Sequence, residues 1–244
     1  MIRHVDQFCA GFATGDAISN EALILQDFLQ RFGIASTIYS QHFNENDAHL
    51  VRHYKEYRDD RNSILIYHHS FYSDFLKQLK YLRSRRILVF HNMTPPEYVQ
   101  PYNREIAEQL RYTRDLLSLM NDDFDALVAD SHYNAHDLEE LGFRNIDVMP
   151  VAINYSNWSN GQPDPAHLDF LNDDYINIIF VGRIFPNKKH QDLLKSFYYF
   201  RKIEPRSRLI ILGANHPGVR GYTAELMNLT RELNLERHVL YTGM

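Results

Sequence analysis

The clearest structural signal in the sequence is Phe180-Val181-Gly182-Arg183-Ile184-Phe185-Pro186-Asn187-Lys188-Lys189. An apolar run ending at Gly182 predicts a buried strand, and the pattern after the Pro-containing loop predicts a helix. Free N–H groups and the positive dipole end at a helix start favour an anion. Arg183 can hold two phosphate oxygens at once, and Lys188 adds a point charge. The stretch predicts a phosphate-binding loop; the alternative is a solvated basic loop that only caps a helix.

The same order of strand and helix recurs along the chain. Short, β-branched apolar runs predict strands at Ile34–Tyr39, Ile64–Tyr67, Ile87–Phe90, Ala126–Ala129, Ile146–Met149, Ile176–Val181, Leu209–Leu212 and Val239–Tyr241. Helical patterns cover Asp16–Phe32, Ser131–Leu141, Gln191–Ile203 and Tyr222–Leu233. Because parallel neighbours need a crossover, this alternation predicts an α/β fold with doubly wound parallel sheets.

A domain boundary is expected where the alternation stops. Residues 154–174 are rich in Asn, Ser, Gly, Pro and Asp and contain no clear strand, which is typical of a linker. The N-terminal domain then covers residues 1–153, and the second covers 175–244. Three strands supply only half of a doubly wound domain. We therefore expect the second domain to be incomplete and to continue beyond Met244.

Composition narrows the class of protein. The 244 residues carry a formal net charge of −5, so no overall field favours nucleic acid, and an anion site must be local. The single cysteine, Cys9, excludes a disulfide within the chain and suits a reducing compartment. No apolar window is long enough to span a bilayer. These features predict a cytoplasmic protein.

The loop at Gly182–Lys189 resembles the donor-diphosphate signature of family 4 glycosyltransferases, which have the GT-B fold. Arg208–Gly213 and Val239–Gly243 resemble the next two strands of that family's second domain. Lys189 and His190 depart from the glycine that many members have there. The resemblance implies two Rossmann-like domains and a retaining, metal-independent transferase. It would move a hexose from a nucleotide sugar to a glycan or lipid-linked acceptor in polysaccharide biosynthesis.

The resemblance also implies roles for the residues of this loop. Arg183 and Lys188 would be catalytic and bind the donor diphosphate, and Gly182 and Gly243 would line the donor. The family's Glu-rich donor motif would lie beyond Met244, so a chain that ends there is expected to have little transferase activity. The nucleotide sugar is a substrate, and no cofactor is predicted.

Two N-terminal segments add candidate residues. Gly11–Asp16 is a glycine-bearing loop before a long helix, which a tight turn also explains. Gly15–Asn20 resembles the form of this loop in the polysaccharide-assembling members of the family. The resemblance implies that Gly15 binds the donor and Asp16 binds the acceptor. His91 follows a predicted strand, where open α/β sheets place ligand groups. The family has a catalytic histidine there that contacts the donor sugar. His68 and His69 also end a strand, and His69 is predicted to bind the acceptor; packing is the alternative for each histidine.

Asp123-Phe124-Asp125 matches the metal–nucleotide motif of other glycosyltransferases. It precedes a strand instead of ending one, so we interpret it as a helix-to-strand turn and predict no metal. Leu76–Arg86 is basic and amphipathic, which indicates a helix that packs on the sheet or docks on anionic lipid. A peripheral contact with the inner face of the membrane is therefore a possible partner interaction. The rival functions are a non-catalytic nucleotide- or protein-binding module and a sugar-nucleotide epimerase of the same fold.

Overall fold

The computed structural model describes residue 2, residues 4–153, residue 162 and residues 164–243. It divides into two compact units. Unit 1 contains Met1–Met93 and Gln109–Ser159, and unit 2 contains Thr94–Glu108 and Asn160–Met244. Thr94–Glu108 precedes the predicted domain boundary but belongs to the second unit. Residue types alone do not predict this, because it depends on long-range packing.

Unit 1 is built on a seven-stranded parallel sheet with the strand order β3-β2-β1-β4-β5-β6-β7. The strands are β1 (His4–Phe12), β2 (Ile38–Phe43), β3 (Arg52–His53), β4 (Ser63–His69), β5 (Arg85–Phe90), β6 (Ala126–Ala129) and β7 (Ile146–Val148). The helices before the second sheet are α1 (Ala17–Arg31), α2 (Pro96–Val99), α3 (Arg104–Ser118) and α4 (His132–Glu140). The order reverses between β1 and β4, and ligands of doubly wound sheets bind at the carboxyl ends beside such a switch point.

The central strand β1 is missing from the sequence prediction. Its apolar pattern is interrupted by Asp6 and Gln7, which are nevertheless buried. Both polar side chains are satisfied internally: Asp6 accepts a hydrogen bond from the backbone N–H of Thr37 at 3.1 Å, and Gln7 donates to the carbonyl of Ala22 at 2.9 Å. Buried polar groups with partners do not prevent a strand from lying in the core.

The only cysteine of the chain lies on β1. Cys9 packs in an apolar cluster with Phe12, Ala22, Ile38 and Val51. The thiol is buried, and burial raises its pKa above the ordinary value. A raised pKa keeps the sulfur protonated and unreactive.

The helix ends of unit 1 follow the sequence signals closely. Asp16 caps α1 by accepting the backbone N–H of Ser19 at 3.3 Å, and Gly33 follows the helix with φ 72°. Ser131 caps α4 in the same way, and Gly142 follows it with φ 96°. Side-chain acceptors at the start and a left-handed glycine at the end satisfy backbone groups that the helix leaves unpaired.

Unit 2 contains a three-stranded parallel sheet in the order β10-β9-β8. Its elements are α5 (Pro165–Leu171), β8 (Ile176–Val181), α6 (His190–Ile203), β9 (Ser207–Leu212), α7 (Arg220–Glu232) and β10 (Val239–Gly243). The segment Thr94–Glu108 is attached to this unit by hydrogen bonds. Tyr102 donates to Glu225 Oε2 at 2.6 Å, and the side-chain amide of Asn103 donates to the carbonyl of Gly218 at 2.9 Å.

Two segments differ from their predicted form. The predicted linker over residues 154–174 contains helix α5, while residues 154–161 and 163 lie outside the described part of the chain. Leu76–Arg86 is not one helix: Asp74–Tyr81 is a 3-10 helix, and Arg85 and Arg86 begin β5. The lipid contact proposed for that segment stays a prediction. Among residues 4–153 and 164–243, no helix combines the length and apolar composition that a membrane span requires.

Candidate functional site

The loop after β8 presents three exposed cations, Arg183, Lys188 and Lys189, at the carboxyl end of the unit 2 sheet. Pro186–Lys188 forms a single 3-10 turn, Lys189 takes the left-handed conformation with φ 50°, and α6 begins at His190. Arg183 and Lys188 are both exposed. The predicted arrangement of strand, loop, two cations and helix start is therefore present, and both charges are accessible to a solute.

Two histidines lie close to these cations. The pKa of His216 is lowered, first by burial and then by the charge of Arg183. The pKa of His190 is lowered by burial and by the charge of Lys188. Histidines with lowered pKa are neutral at pH 7. The positive charge at this end of the sheet therefore resides on the arginine and lysine side chains of the loop, Arg183, Lys188 and Lys189.

Glycines follow or end all three strands of unit 2. The N–H of Gly182 donates to the carbonyl of Leu212 at 2.9 Å, and the N–H of Gly213 donates to the carbonyl of Gly243 at 3.0 Å. A Cβ atom on Gly213 would lie 2.0 Å from the carbonyl oxygen of Gly182. Gly243 has φ 71°. Gly213 therefore has no room for a side chain because the backbone of Gly182 fills that space, whereas no atom lies within 4 Å of the Cβ position of Gly243, so a ligand can approach the backbone there.

In unit 1, the glycine loop after β1 leads directly into α1. Gly15 has φ 91°, and no atom lies within 4 Å of the position its Cβ would take. Ser19 Oγ accepts the backbone N–H of Ala13 at 3.1 Å, and Thr14 donates to Asp47 at 2.6 Å. The loop is held by its own hydrogen bonds while Gly15 stays exposed. Asp16 carries the helix cap, so its carboxylate is already partly engaged by Ser19.

His91 follows β5 at the carboxyl edge of the unit 1 sheet, and its side chain is only 2% exposed. Its Nδ1 atom lies 3.0 Å from Asp130 Oδ1, and its Nε2 atom lies 2.9 Å from Nδ1 of His68. Both ring nitrogens are therefore occupied by protein groups. The residue as a whole is half-buried, so what it exposes is mainly backbone.

The sequence did not predict that His91 contacts buried polar groups, although His68 was recognised as a strand-end histidine. Glu21 on α1 is completely buried, and its Oε2 atom lies 3.7 Å from His91 Nδ1. Burial raises the pKa of Glu21, against the opposing effect of His91. On the far side of His91, the Nε2 atom of His68 lies 3.0 Å from Oε1 of Gln7. Three of these partners are polar residues inside strands or helices, and only the folded sheet brings them together.

His69 has no exposed surface. Its Nε2 atom lies 3.2 Å from the sulfur of Met93, and its ring stacks on Phe90 with 5.9 Å between centroids. Burial, and then the charge of His91, lowers the pKa of His69 to about 3. A side chain without surface does not touch an acceptor, so the acceptor contact predicted for His69 is left out of the function proposed below.

The depressed pKa of His69 predicts that acid destabilises unit 1. Because the folded pKa lies below the unfolded value near 6.5, its stabilising contribution is complete above about pH 6.5 and is lost as pH falls toward 3. At pH 5 the loss relative to pH 7.5 is about 2 kcal/mol, at roughly 1.4 kcal/mol per pH unit. Urea unfolding at both pH values measures it. His69→Leu should remove the part of the acid-induced loss in unfolding free energy that is due to His69, whereas the exposed His132→Gln should not. The prediction is contradicted if the wild type and both variants lose the same unfolding free energy between pH 7.5 and pH 5.

The turn predicted for Asp123–Asp125 is present. Asp125 accepts the backbone N–H of Arg86 at 2.8 Å and returns a backbone hydrogen bond of 2.8 Å to the carbonyl of Arg86. The turn immediately precedes β6, whose first residue pairs with Ile87 near the start of β5. The aspartates therefore lie at the amino ends of the strands, at the sheet edge opposite to His91.

No protein-family model matches the chain, and no curated protein matches it. Solved structures do. HepE from Anabaena, in complex with UDP and glucose, superposes with a TM-score of 0.67 at 14% identity, covering 99% of this chain and 70% of that one. Sucrose-phosphate synthase from Thermosynechococcus elongatus gives 0.70 at 12% identity, covering 99% and 70%. The E. coli protein bound with UDP-2-fluoro glucose gives 0.67 at 12% identity, covering 99% and 73%.

The chain has the GT-B fold. The seven-stranded and three-stranded parallel sheets are its two Rossmann-like parts, so the predicted fold class is confirmed, including a second sheet smaller than the first. Identities of 12–14% show the fold alone. In GT-B terms, the Gly15 loop and His91 belong to the first sheet, and Arg183, Lys188 and the strand-end glycines belong to the second.

Proposed function

We propose that this chain is a glycosyltransferase that moves a sugar from a nucleotide-sugar donor to a glycan or lipid-linked acceptor. The observation that carries the proposal is the pair of exposed cations, Arg183 and Lys188, at the carboxyl end of β8 beside the start of α6. A diphosphate needs positive charge, which the two side chains and the positive dipole end of the helix supply. The GT-B fold supports this, because HepE and the E. coli protein with this fold bind UDP-glucose and a UDP-fluoroglucose.

The chemistry follows from where charge develops. When the sugar leaves, the nucleoside diphosphate gains negative charge at the departing oxygen. The Arg183 guanidinium can bind two oxygens in one plane, and the Lys188 ammonium adds a compact charge. The start of α6, a helix of 14 residues, adds its positive dipole end. Stabilisation is electrostatic and is strongest in the transition state.

In the proposed reaction, unit 1 contributes the Gly15 loop and His91. Gly15 is exposed at the start of a 15-residue helix and would approach the donor phosphates. Asp16, beside it, would bind the acceptor. His91 would contact the donor sugar through its exposed backbone, because both ring nitrogens already have protein partners. Retention, a hexose donor and a role in polysaccharide assembly are supported by the resemblance of the Gly182–Lys189 and Gly15–Asn20 segments.

The direct test is turnover by the whole gene product. Purified protein is incubated with a panel of nucleotide sugars and with glycan or lipid-linked acceptors, and release of nucleoside diphosphate is followed. We expect release that depends on both the sugar nucleotide and the acceptor. Binding of nucleoside diphosphate without turnover would favour the non-catalytic module, and interconversion of free sugar nucleotides would favour the epimerase.

Removal of metal should leave transfer intact, because the two cations and the helix start take the place of a metal ion. We expect turnover in excess EDTA within about twofold of the untreated rate, a change far below the effect of losing a charge-stabilising group. The measurement compares initial rates with EDTA, with added Mg²⁺ and with neither. If EDTA abolishes turnover and Mg²⁺ restores it, the metal-free mechanism is wrong, and Asp123 and Asp125 become candidates for metal binding.

A further inference from the structure

A chain of buried polar side chains leads from β1 to the carboxyl edge of the unit 1 sheet. It begins at Gln7, whose side-chain Nε2 donates to the carbonyl of Ala22 at 2.9 Å. A carbonyl only accepts, so this contact fixes which end of the amide is nitrogen. The Oε1 atom of Gln7 therefore faces Nε2 of His68 at 3.0 Å and must accept from it.

The next member, His68, then has its proton on Nε2. The ring is buried, and burial is the main cause that lowers the pKa of His68 well below 6.5. A neutral imidazole carries one proton, so Nδ1 of His68 is an acceptor. That atom lies 2.9 Å from Nε2 of His91, which must be the donor in this contact.

The other nitrogen of His91 faces two carboxyl groups, of which Asp130 is within hydrogen-bond distance. The Nδ1 atom of His91 lies 3.0 Å from Asp130 Oδ1 and 3.7 Å from Glu21 Oε2. Carboxylate oxygens accept, so Nδ1 of His91 also has a proton. With protons on both nitrogens, the ring is an imidazolium.

We propose that His91 is a buried imidazolium, with Gln7 and His68 as positioning residues that dictate its protonation and Asp130 as its counter-charge. The orientation of the Gln7 amide fixes the tautomer of His68, and the tautomer of His68 fixes which nitrogen of His91 donates at the edge of the sheet. The ring is thereby fixed at both ends, which holds the backbone at His91 in place. Its role in sugar transfer rests on the function proposed above; its charge state does not.

A metal ion would be a different occupant of the same cluster. Glu21, His68 and His91 offer ligand atoms within 4.8 Å of one another. The contacts do not converge on one point, however: His91 directs one nitrogen to His68 and the other to the carboxylates. A single ion cannot bind both nitrogens of one ring, so this arrangement suits a proton relay better than a metal site.

Nitrogen-15 NMR of the imidazole rings tests the charge state without substrate. At pH 7.5 we expect both nitrogens of His91 to be protonated and His68 to have its proton on Nε2 alone. A singly protonated His91 in the wild-type spectrum would overturn the proposal, because the shared proton would then be on Asp130. Addition of Zn²⁺ should leave both sets of signals unchanged; a stoichiometric shift would assign the cluster to a metal.

Variants test the relay. Gln7→Met removes the amide that fixes the proton of His68 on Nε2, so His91 should become singly protonated at pH 7.5. The exposed Gln78→Met is the control and should leave the protonation of both histidines unchanged. His68→Gln can still accept from His91 and donate to Gln7, and should keep the imidazolium; His68→Leu should not. In turnover, we expect Gln7→Met and His68→Leu to lower kcat about tenfold with little change in KM, and His68→Gln to recover most of it, within the range for positioning effects. An unchanged His91 in Gln7→Met would refute the relay, even if the protein proves not to be a transferase.

Discussion

Arg183→Ala and Lys188→Ala are each expected to lower kcat/KM for the nucleotide-sugar donor by about 10²–10³, the scale for one preorganised charge-stabilising group. Both side chains are exposed at the carboxyl end of β8, and the neighbouring histidines are neutral, so Lys189 is the remaining cation of the loop. Steady-state kinetics of the whole gene product measure the effect. The loss should appear in kcat as well as in KM, because the charge on the diphosphate grows in the transition state.

Two further substitutions sharpen this measurement. Arg183→Lys should recover only part of the activity, because an ammonium cannot reproduce the planar fork of a guanidinium. The exposed Lys195 on α6 provides a control for the general loss of positive charge, and Lys195→Ala should stay near wild type. If the loop is only a solvated helix cap, Arg183→Ala and Lys188→Ala will change kcat/KM within about twofold, well short of a charge-stabilising effect. Their affinity for the nucleoside diphosphate will then also be unchanged.

Gly213→Ala is expected to destabilise unit 2 by about 3 kcal/mol or to displace the backbone around Gly182, since overpacking at a rigid site costs roughly 1–3 kcal/mol or more. The added Cβ would lie 2.0 Å from the carbonyl oxygen of Gly182 and 3.1 Å from the backbone nitrogen of Arg183. These are backbone atoms, so no rotation of a side chain relieves the clash. Urea unfolding monitored by far-UV circular dichroism gives the stability, and calorimetric titration with a panel of nucleoside diphosphates gives the effect on the proposed donor loop.

Gly221 is a matched control for this substitution. It lies in α7 and is exposed, and an added Cβ would meet the ring of Tyr102 at 3.5 Å, an ordinary contact. Gly221→Ala should be neutral or should stabilise by up to about 1 kcal/mol, because alanine favours a helix over glycine. Equal stabilities and equal nucleoside diphosphate affinities for Gly213→Ala and wild type would show that the strands are not held at this distance.

The sequence predicts elements well where one local pattern decides them. The apolar runs at Ala126–Ala129 and Ile176–Val181 form strands with the predicted bounds, and the Asp16 and Ser131 caps start helices within a residue of expectation. The loop Gly182–Lys189 is also predicted from a local pattern, because a strand end, basic residues and a helix start lie within a dozen residues. Periodicity and capping are sufficient for such features.

The sequence fails where distant partners decide the structure. Strand β1 was missed because Asp6 and Gln7 read as surface residues, although Thr37 and Ala22 satisfy them in the core. The environment of His91 was missed for the same reason: Asp130 is 39 residues away along the chain and His68 is 23 away. A histidine at a strand end indicates a possible site, but only the assembled sheet shows that both its nitrogens are already bound.

Because Cys9 is buried in the sheet of unit 1, its reaction with a thiol reagent can measure how often that sheet opens. One thiol lies in the middle of the unit 1 sheet, sealed in an apolar cluster and held in its unreactive form. A thiol-directed reagent reaches it only in molecules whose central strand has separated from its neighbours. The rate of labelling therefore reports the free energy of that opening, with no engineered residue and no competing sulfhydryl. Ligands that stabilise unit 1 against opening can be ranked by how far they slow the labelling of Cys9.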